Sequence, residues 1–128
     1  MPPTTAERDA LFKTFGRAWF RRDATMLYEV VTPDFVWQSN DGNSTARRIT
    51  GREAIATALA ATGGGAGGVK RRFEDVVYHH APDATFMTFR LIETDEATGA
   101  VREEAGIERY TFKDGRIALK DVYRKPVV

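Results

Sequence analysis

"FGRAWFRRDATMLYEVVTPDFVWQ", residues 15–38, holds the change of direction that decides the fold. Apolar side chains at Leu11, Phe12, Phe15, Ala18 and Trp19 recur with the i, i+3, i+4 rhythm of a helix buried along one face. Arg17, Arg21 and Arg22 fall on its other side. Upstream, Thr4 and Glu7 spell a capping box, hydroxyl to backbone amide one way and carboxylate back the other, which sets the helix start. Downstream, Asp23 is the N-cap of a second, shorter helix carrying Met26, Leu27, Val30 and Val31. Pro33 ends that helix, because the residue before a proline is pushed out of helical geometry. "FVWQS", Phe35 to Ser39, follows as a strand.

Further along, the polar run "NDGNST" reads as a turn or loop and "ARRIT" as a short second strand. Thr50 with Glu53 spells another capping box, opening a third helix to about Thr62 with Ile55 and Leu59 inward. "GGGAGG", Gly63 to Gly68, is expected to be a flexible break. It contains the spacing G-x-G-x-x-G, but after a helix and before a strand, the reverse of the order a dinucleotide site needs. The period then changes to two. Four strands are expected over Val69–His80, Ala84–Thr94, Ala100–Phe112 and Arg116–Lys125, joined by "APDA", "DEATG" and "KDG". Helices first and hairpins last indicate an α+β layer with helices on one face of a curled sheet. A ferredoxin-like split unit would need a late crossover helix, which this order lacks.

The totals narrow the function classes. At 128 residues and 14.3 kDa, one domain spanning residues 1–128 is expected. A net charge of +1 offers no field for nucleic acid or a membrane surface. The basic clusters Arg21-Arg22, Arg47-Arg48 and Lys70-Arg71-Arg72 each lie near acidic residues and read as solvated faces. With no cysteine, neither a disulfide framework nor a thiolate zinc site can form. The start lacks the pattern of a signal peptide, so a cytoplasmic location is expected and the sequon at Asn43 is set aside.

The element order, together with "FGRAWFRRDATMLYEVVTPDFVWQ", "TGREAIATAL" and "YTFKDGRI", resembles the nuclear-transport-factor-2-like superfamily, in its SnoaL-like and ketosteroid-isomerase-like branch. The resemblance covers residues 6 to 125. It implies a cone-shaped, cystatin-like α+β roll: three helices, and a curved antiparallel sheet wrapped around the N-terminal helix to leave a pocket. It places the aromatic cluster at the pocket's wall and mouth. Indole and phenol groups need polar partners when buried, which suits Trp19, Tyr28 and Trp37 to a boundary between apolar wall and ligand. Phe15 and Tyr110 complete the expected substrate-binding set, although plain core filling is the alternative for Phe15 and Phe35.

Ketosteroid isomerases that this sequence resembles use a helix tyrosine, an aspartate base on the first strand and a protonated acid on a late strand. The tyrosine's place is taken by Phe15, and the base's by Ser39 with Asp41 two residues on. Only Glu108 in "IERYTF" matches, as the late acid. The Arg-x-Asp unit of related epoxide hydrolases is also missing, because Arg90 is followed by Leu91 and Ile92. His79 and His80 are adjacent on a strand, point to opposite faces and cannot grip one metal ion together.

One constellation comes from spacing alone. If "KDG" closes a tight hairpin, Phe112 opposes Ile117, Tyr110 opposes Leu119 and Glu108 opposes Asp121. This more apolar face should point inward, delivering two carboxylates side by side at the pocket's deep end. Opposed like charges tend to share a proton, which is an acid/base arrangement. A bulge would separate them, and Glu108 paired with Arg109, Lys120 or Arg124 at a wet edge is the alternative. The expectation is a small apolar or partly polar organic ligand and a cofactor-independent isomerase, cyclase or dehydratase, with Glu108 and Asp121 catalytic and no metal. A non-catalytic ligand-binding domain and a protein-interaction domain are the rivals. A one-layer sheet leaves an outer face to cover, so a homodimer is expected.

Overall fold

The computed structural model describes residues 2–40 and 47–127, so Asp41 and most of the expected "NDGNST" loop lie outside the described residues. The chain runs α1 (Thr5–Arg21), α2 (Ala24–Leu27), β1 (Val31–Asn40), β2 (Arg47–Thr50) and α3 (Arg52–Thr62). A short 3₁₀ turn (Ala66–Gly68) then leads into β3 (Val69–His80), β4 (Thr85–Asp95), β5 (Val101–Lys113) and β6 (Arg116–Pro126). The architecture is α+β, with one open six-stranded sheet in the order β2-β1-β6-β5-β4-β3. All neighbours pair antiparallel except β1 and β6, which run parallel, so the sheet is mixed. The cause is connectivity: β1 and β6 are joined only through everything between them, and a long crossover permits parallel pairing.

The helix α1 begins on the capping box read from sequence, with Glu7 N–H donating to Thr4 Oγ1 at 3.2 Å and Thr4 N–H to Glu7 Oε1 at 3.0 Å. Its buried residues are Arg8, Phe12, Phe15 and Ala18, one face of the helix set into the sheet. Each buried phenylalanine contributes about 1.5–3 kcal/mol by leaving water. Arg8 is the unexpected member. Its guanidinium donates to the carbonyls of Pro3 (2.9 Å), Ala81 (2.6 Å), Pro82 (2.9 Å) and Ala84 (3.2 Å), and to Thr85 Oγ1 (3.1 Å). It also lies 4.7 Å over the Phe112 ring. A buried charge is tolerated only when its donors are satisfied, and here they tie α1 to the β3–β4 turn.

Several local expectations are corrected. Asp23 caps α2 through Met26 N–H at 3.0 Å, but the helix is a single turn. Val30 and Val31 bury themselves without continuing it, and β1 already begins at Val31 with Pro33 inside it. The β1–β6 register shifts between Val31 and Val36, an irregularity suited to a residue with no N–H to donate. Thr50 does not cap α3, because it belongs to β2 and pairs with Val36. Gly51 takes the N-cap at φ 88° with no side-chain cap bond.

The glycine run is held against its neighbours rather than left as a free break. A Cβ on Gly63 would fall 2.4 Å from the Trp19 carbonyl oxygen and 2.8 Å from that of Leu59; one on Gly64 would fall 2.4 Å from that of Phe20. Glycine is required where backbones approach this closely. No helix among the described residues is long and apolar enough to cross a membrane.

Gly63→Ala is therefore expected to destabilise the protein by about 1–3 kcal/mol, since backbone atoms cannot step aside. Gly65→Ala, at φ −95° with no atom within 4 Å of the new methyl, stays within about 0.5 kcal/mol of wild type. Urea midpoints of the two variants check the contrast.

Candidate active site

The last hairpin decides what the site contains. Phe112 opposes Ile117 as expected, but Thr111 opposes Leu119, so β6 carries one extra residue at Ala118. Beyond that bulge every pair moves by one: Tyr110 faces Lys120, Arg109 faces Asp121 and Glu108 faces Val122. A one-residue slip exchanges the two faces of a strand. Glu108 and Asp121, expected side by side, thus sit on opposite faces of the sheet. Asp121 is 1% exposed on the outer face, where Tyr123 Oη donates to its Oδ2 at 3.0 Å and Arg109 lies 3.4 Å away.

The slip turns Lys120 inward in place of Leu119. Glu108 (5% exposed) and Lys120 (6%) are buried together, with Lys120 Nζ 3.8 Å from Glu108 Oε1. The Tyr110 hydroxyl donates to the same Oε1. Three aromatic rings surround the ammonium: Trp37 at 4.7 Å, Phe15 at 5.4 Å and Trp19 at 5.9 Å from their centroids. Such contacts replace part of the hydration that a buried cation loses. Burial still lowers the Lys120 pKa; the Glu108 charge pulls it back up and Arg124 pushes it further down. Burial, then the neighbouring Glu108 charge, holds the Tyr110 phenol well above its ordinary value. The same two influences, with Asp9, push Tyr78 up to about 12.

This group stands between two cavities. The first, of about 260 Å³, opens between the inner sheet face, Trp19 of α1 and Ala58 and Thr62 of α3. Trp37, Phe73 and Phe89 form its apolar wall, and Arg47, Arg71, Arg102 and Arg124 its polar side. The second, of about 150 Å³, is apolar and lies between α1 and β3, lined by Phe12, Phe15, Phe20, Tyr78 and Tyr110 among others. Trp19, Phe73, Glu108 and Lys120 line both.

Of the aromatic residues singled out from sequence, Trp19 and Trp37 line the first cavity, and Phe15 and Tyr110 the second. Tyr28 lines neither. It packs 4.8 Å beneath the Arg52 guanidinium, and its buried hydroxyl has no hydrogen-bond partner among the described residues. Ser39 lines the first cavity. His79 and His80 are occupied by Thr88 and Thr85 hydroxyls at 3.2 and 2.9 Å. Arg90 is ion-paired with Glu74, Asp75 and Glu103 on the exposed strands. Among the described residues, no group of three or more histidine or acidic side chains converges as metal ligands would.

With this geometry in place, comparison with known proteins is informative. The family model of the SnoaL-like domain matches residues 12–120. The chain belongs to the SnoaL-like family. Its structure is similar to a nuclear-transport-factor-2-like protein from Burkholderia xenovorans, at TM-score 0.78 and 18% identity over 94% of this chain and 91% of that one. It is also similar to a candidate polyketide cyclase from Xanthomonas campestris pv. campestris, at TM-score 0.70 and 17% identity over 92% and 90%. An LEH-like epoxide hydrolase of M. tuberculosis aligns at TM-score 0.68 and 19% identity over 95% and 85%. At these identities the likeness is one of fold. No curated protein matches the sequence.

All four tyrosines of the SnoaL-like chain have raised pKa values, Tyr28 and Tyr78 through burial, Tyr110 through burial beside Glu108, and Tyr123 through its bond to Asp121. The native state holds these protons more tightly than the unfolded state. The tyrosine contribution to stability is therefore complete below pH 10 and declines as the pH rises toward 12. Lys120 acts in the opposite sense, but its change is over once the unfolded lysine value of 10.5 is passed. Native protein at about pH 11 should show much less phenolate absorbance than unfolded protein at the same pH, and a higher urea midpoint than at about pH 12.

Proposed function

We propose that this protein is a cofactor-independent acid/base catalyst acting on a small, largely apolar carbonyl compound, as an isomerase, cyclase or dehydratase. The observation that carries this reading is the buried Glu108, with Tyr110 and Lys120 both directed at its Oε1, on the wall of the aromatic-lined cavity. That arrangement leaves Oε2 for substrate. Glu108 removes a proton from the carbon next to the carbonyl. Lys120 donates to the oxygen on which negative charge develops. The proton then returns to a different carbon in an isomerisation. In a cyclisation it goes to the new alkoxide after the enolate carbon attacks a second carbonyl. In a dehydration it leaves with the β-hydroxyl as water. Trp19 and Trp37 press a flat substrate over this group. The Asp121 role expected from sequence passes to Lys120, which shares the cavity with Glu108.

Hydrogen–deuterium exchange at the α-carbon of a tetralone, followed by NMR in heavy water, tests the proposal. Wild type should exchange it above the buffer rate, Glu108→Gln about 10²–10⁴-fold more slowly, and Asp121→Asn at the wild-type rate. Binding without exchange would instead support the ligand-binding rival. Equal exchange by wild type and Glu108→Gln would dismiss Glu108 as the base.

A homodimer is the second part of the proposal. Ile107 and Tyr123 are paired across β5 and β6 on the outer face and stand 47% and 48% exposed, side by side. Sedimentation should show a dimer for wild type and a monomer for Ile107→Asp.

A further inference from the structure

We infer that the ligand is an organic anion: a flat apolar or aromatic body carrying a carboxylate, its charged end at the arginine-lined mouth and its neutral end over Glu108 and Lys120. This rests on the cavity reading above and adds the ligand's charge and orientation. Among the described residues, the first cavity is lined by five cationic side chains and two carboxylates, Glu93 and Glu108, in a chain whose net charge is +1. The positive excess is a property of the cavity rather than of the whole protein.

The cations are not equally committed. Lys120 is paired with Glu108. Arg71 is held by Glu93 at 3.0 Å and by the carbonyls of Gly64 and Ala66 at 3.3 and 3.1 Å. Arg102 takes the other Glu93 oxygen at 2.9 Å. The Glu93 carboxyl, which burial alone would push up, is held below its usual range by these two guanidiniums. Arg124 is held loosely, 3.9 Å from a Glu104 that Arg102 also approaches at 3.6 Å.

Arg47 on β2 and Arg124 on β6 both line the cavity, on the two strands that flank β1. Ser39 of β1 pairs with Arg47 on one side and Val122 on the other, and Arg124 is the next inward position on β6. Two guanidiniums on either side of β1 form a pair of forks of the shape that grips a carboxylate. Glu108 on β5, three strands across the sheet from Arg47, repels a second negative charge. A ligand with one anionic end is favoured with that end toward Arg47 and Arg124 and its neutral end over Glu108 and Lys120. Trp19, Trp37, Phe73 and Phe89 accept its apolar body between the two ends.

Trp19 and Trp37 are the only tryptophans, and both line this cavity, so intrinsic fluorescence reports its occupancy. A naphthalene carboxylate and the neutral carboxamide of the same ring are the probes. The carboxylate should bind about tenfold tighter or more, weaken with added salt, and lose its advantage in the Arg47→Gln/Arg124→Gln double variant, which still binds the carboxamide. Equal affinity for the two probes, or an advantage that survives the double variant, overturns the inference and leaves the cavity reading standing. If neither probe changes the fluorescence of wild type, the cavity reading falls and the inference with it.

Discussion

The bulge at Ala118 is the constraint on which the site depends. A regular ladder from the "KDG" turn would place Glu108 opposite Asp121 and send Lys120 to the outer face. With one extra residue in β6, Arg109 meets Asp121, and Lys120 arrives beside Tyr110 and Glu108. The slip replaces a facing pair of like charges with a facing pair of opposite ones, the direction in which cross-strand pairing is favourable. It also gives each carboxylate its own surroundings. Asp121 becomes part of an outer-face cluster with Tyr123 and Arg109, and Glu108 lines the cavity beside Lys120.

A lysine and a glutamate buried side by side are not a device for stability. Removing two charges from water costs several kcal/mol for each ion, and their attraction rarely does more than offset it. Replacing a buried ion pair with well-packed apolar residues of similar volume is often neutral or stabilising. Instead the two groups sit on a wall shared by two hollows, surrounded by rings that soften the loss of hydration without quenching the charges. Buried ionisable groups that line a cavity at a cost to folding mark a candidate functional site.

Much of this was legible in the sequence, and the failures have physical reasons. The α1 capping box, the Asp23 cap and the four long strands follow from local chemistry and periodicity, so they could be read directly. The grouping of Trp19 and Trp37 could be read too, but core packing was the alternative, and the two rings both line the first cavity and pack against the core. The bulge could not be counted from the turn, since a single extra residue in a strand leaves no mark on composition. One sign was present: a register that opposes Glu108 to Asp121 is electrostatically worse than its neighbour. Lys120 was missed with the register. Thr50 has the residue type for a cap but is held by the β2 ladder, and Pro33 ended no helix because α2 was already over. The glycine run looks free in sequence; only the approach of α1 shows why Gly63 can have no side chain.

Arg8 changes how the β3–β4 turn should be regarded. An exposed hairpin tip is ordinarily where a chain tolerates an inserted peptide or new termini made by circular permutation. Here the carbonyls of Ala81, Pro82 and Ala84 are the acceptors that let a charged guanidinium lie buried, 73 to 76 positions away in sequence. Splicing into that tip would strand the charge and loosen the helix that roofs both hollows. Protein engineers should look for grafting sites elsewhere, such as the hairpin at Asp114 and Gly115.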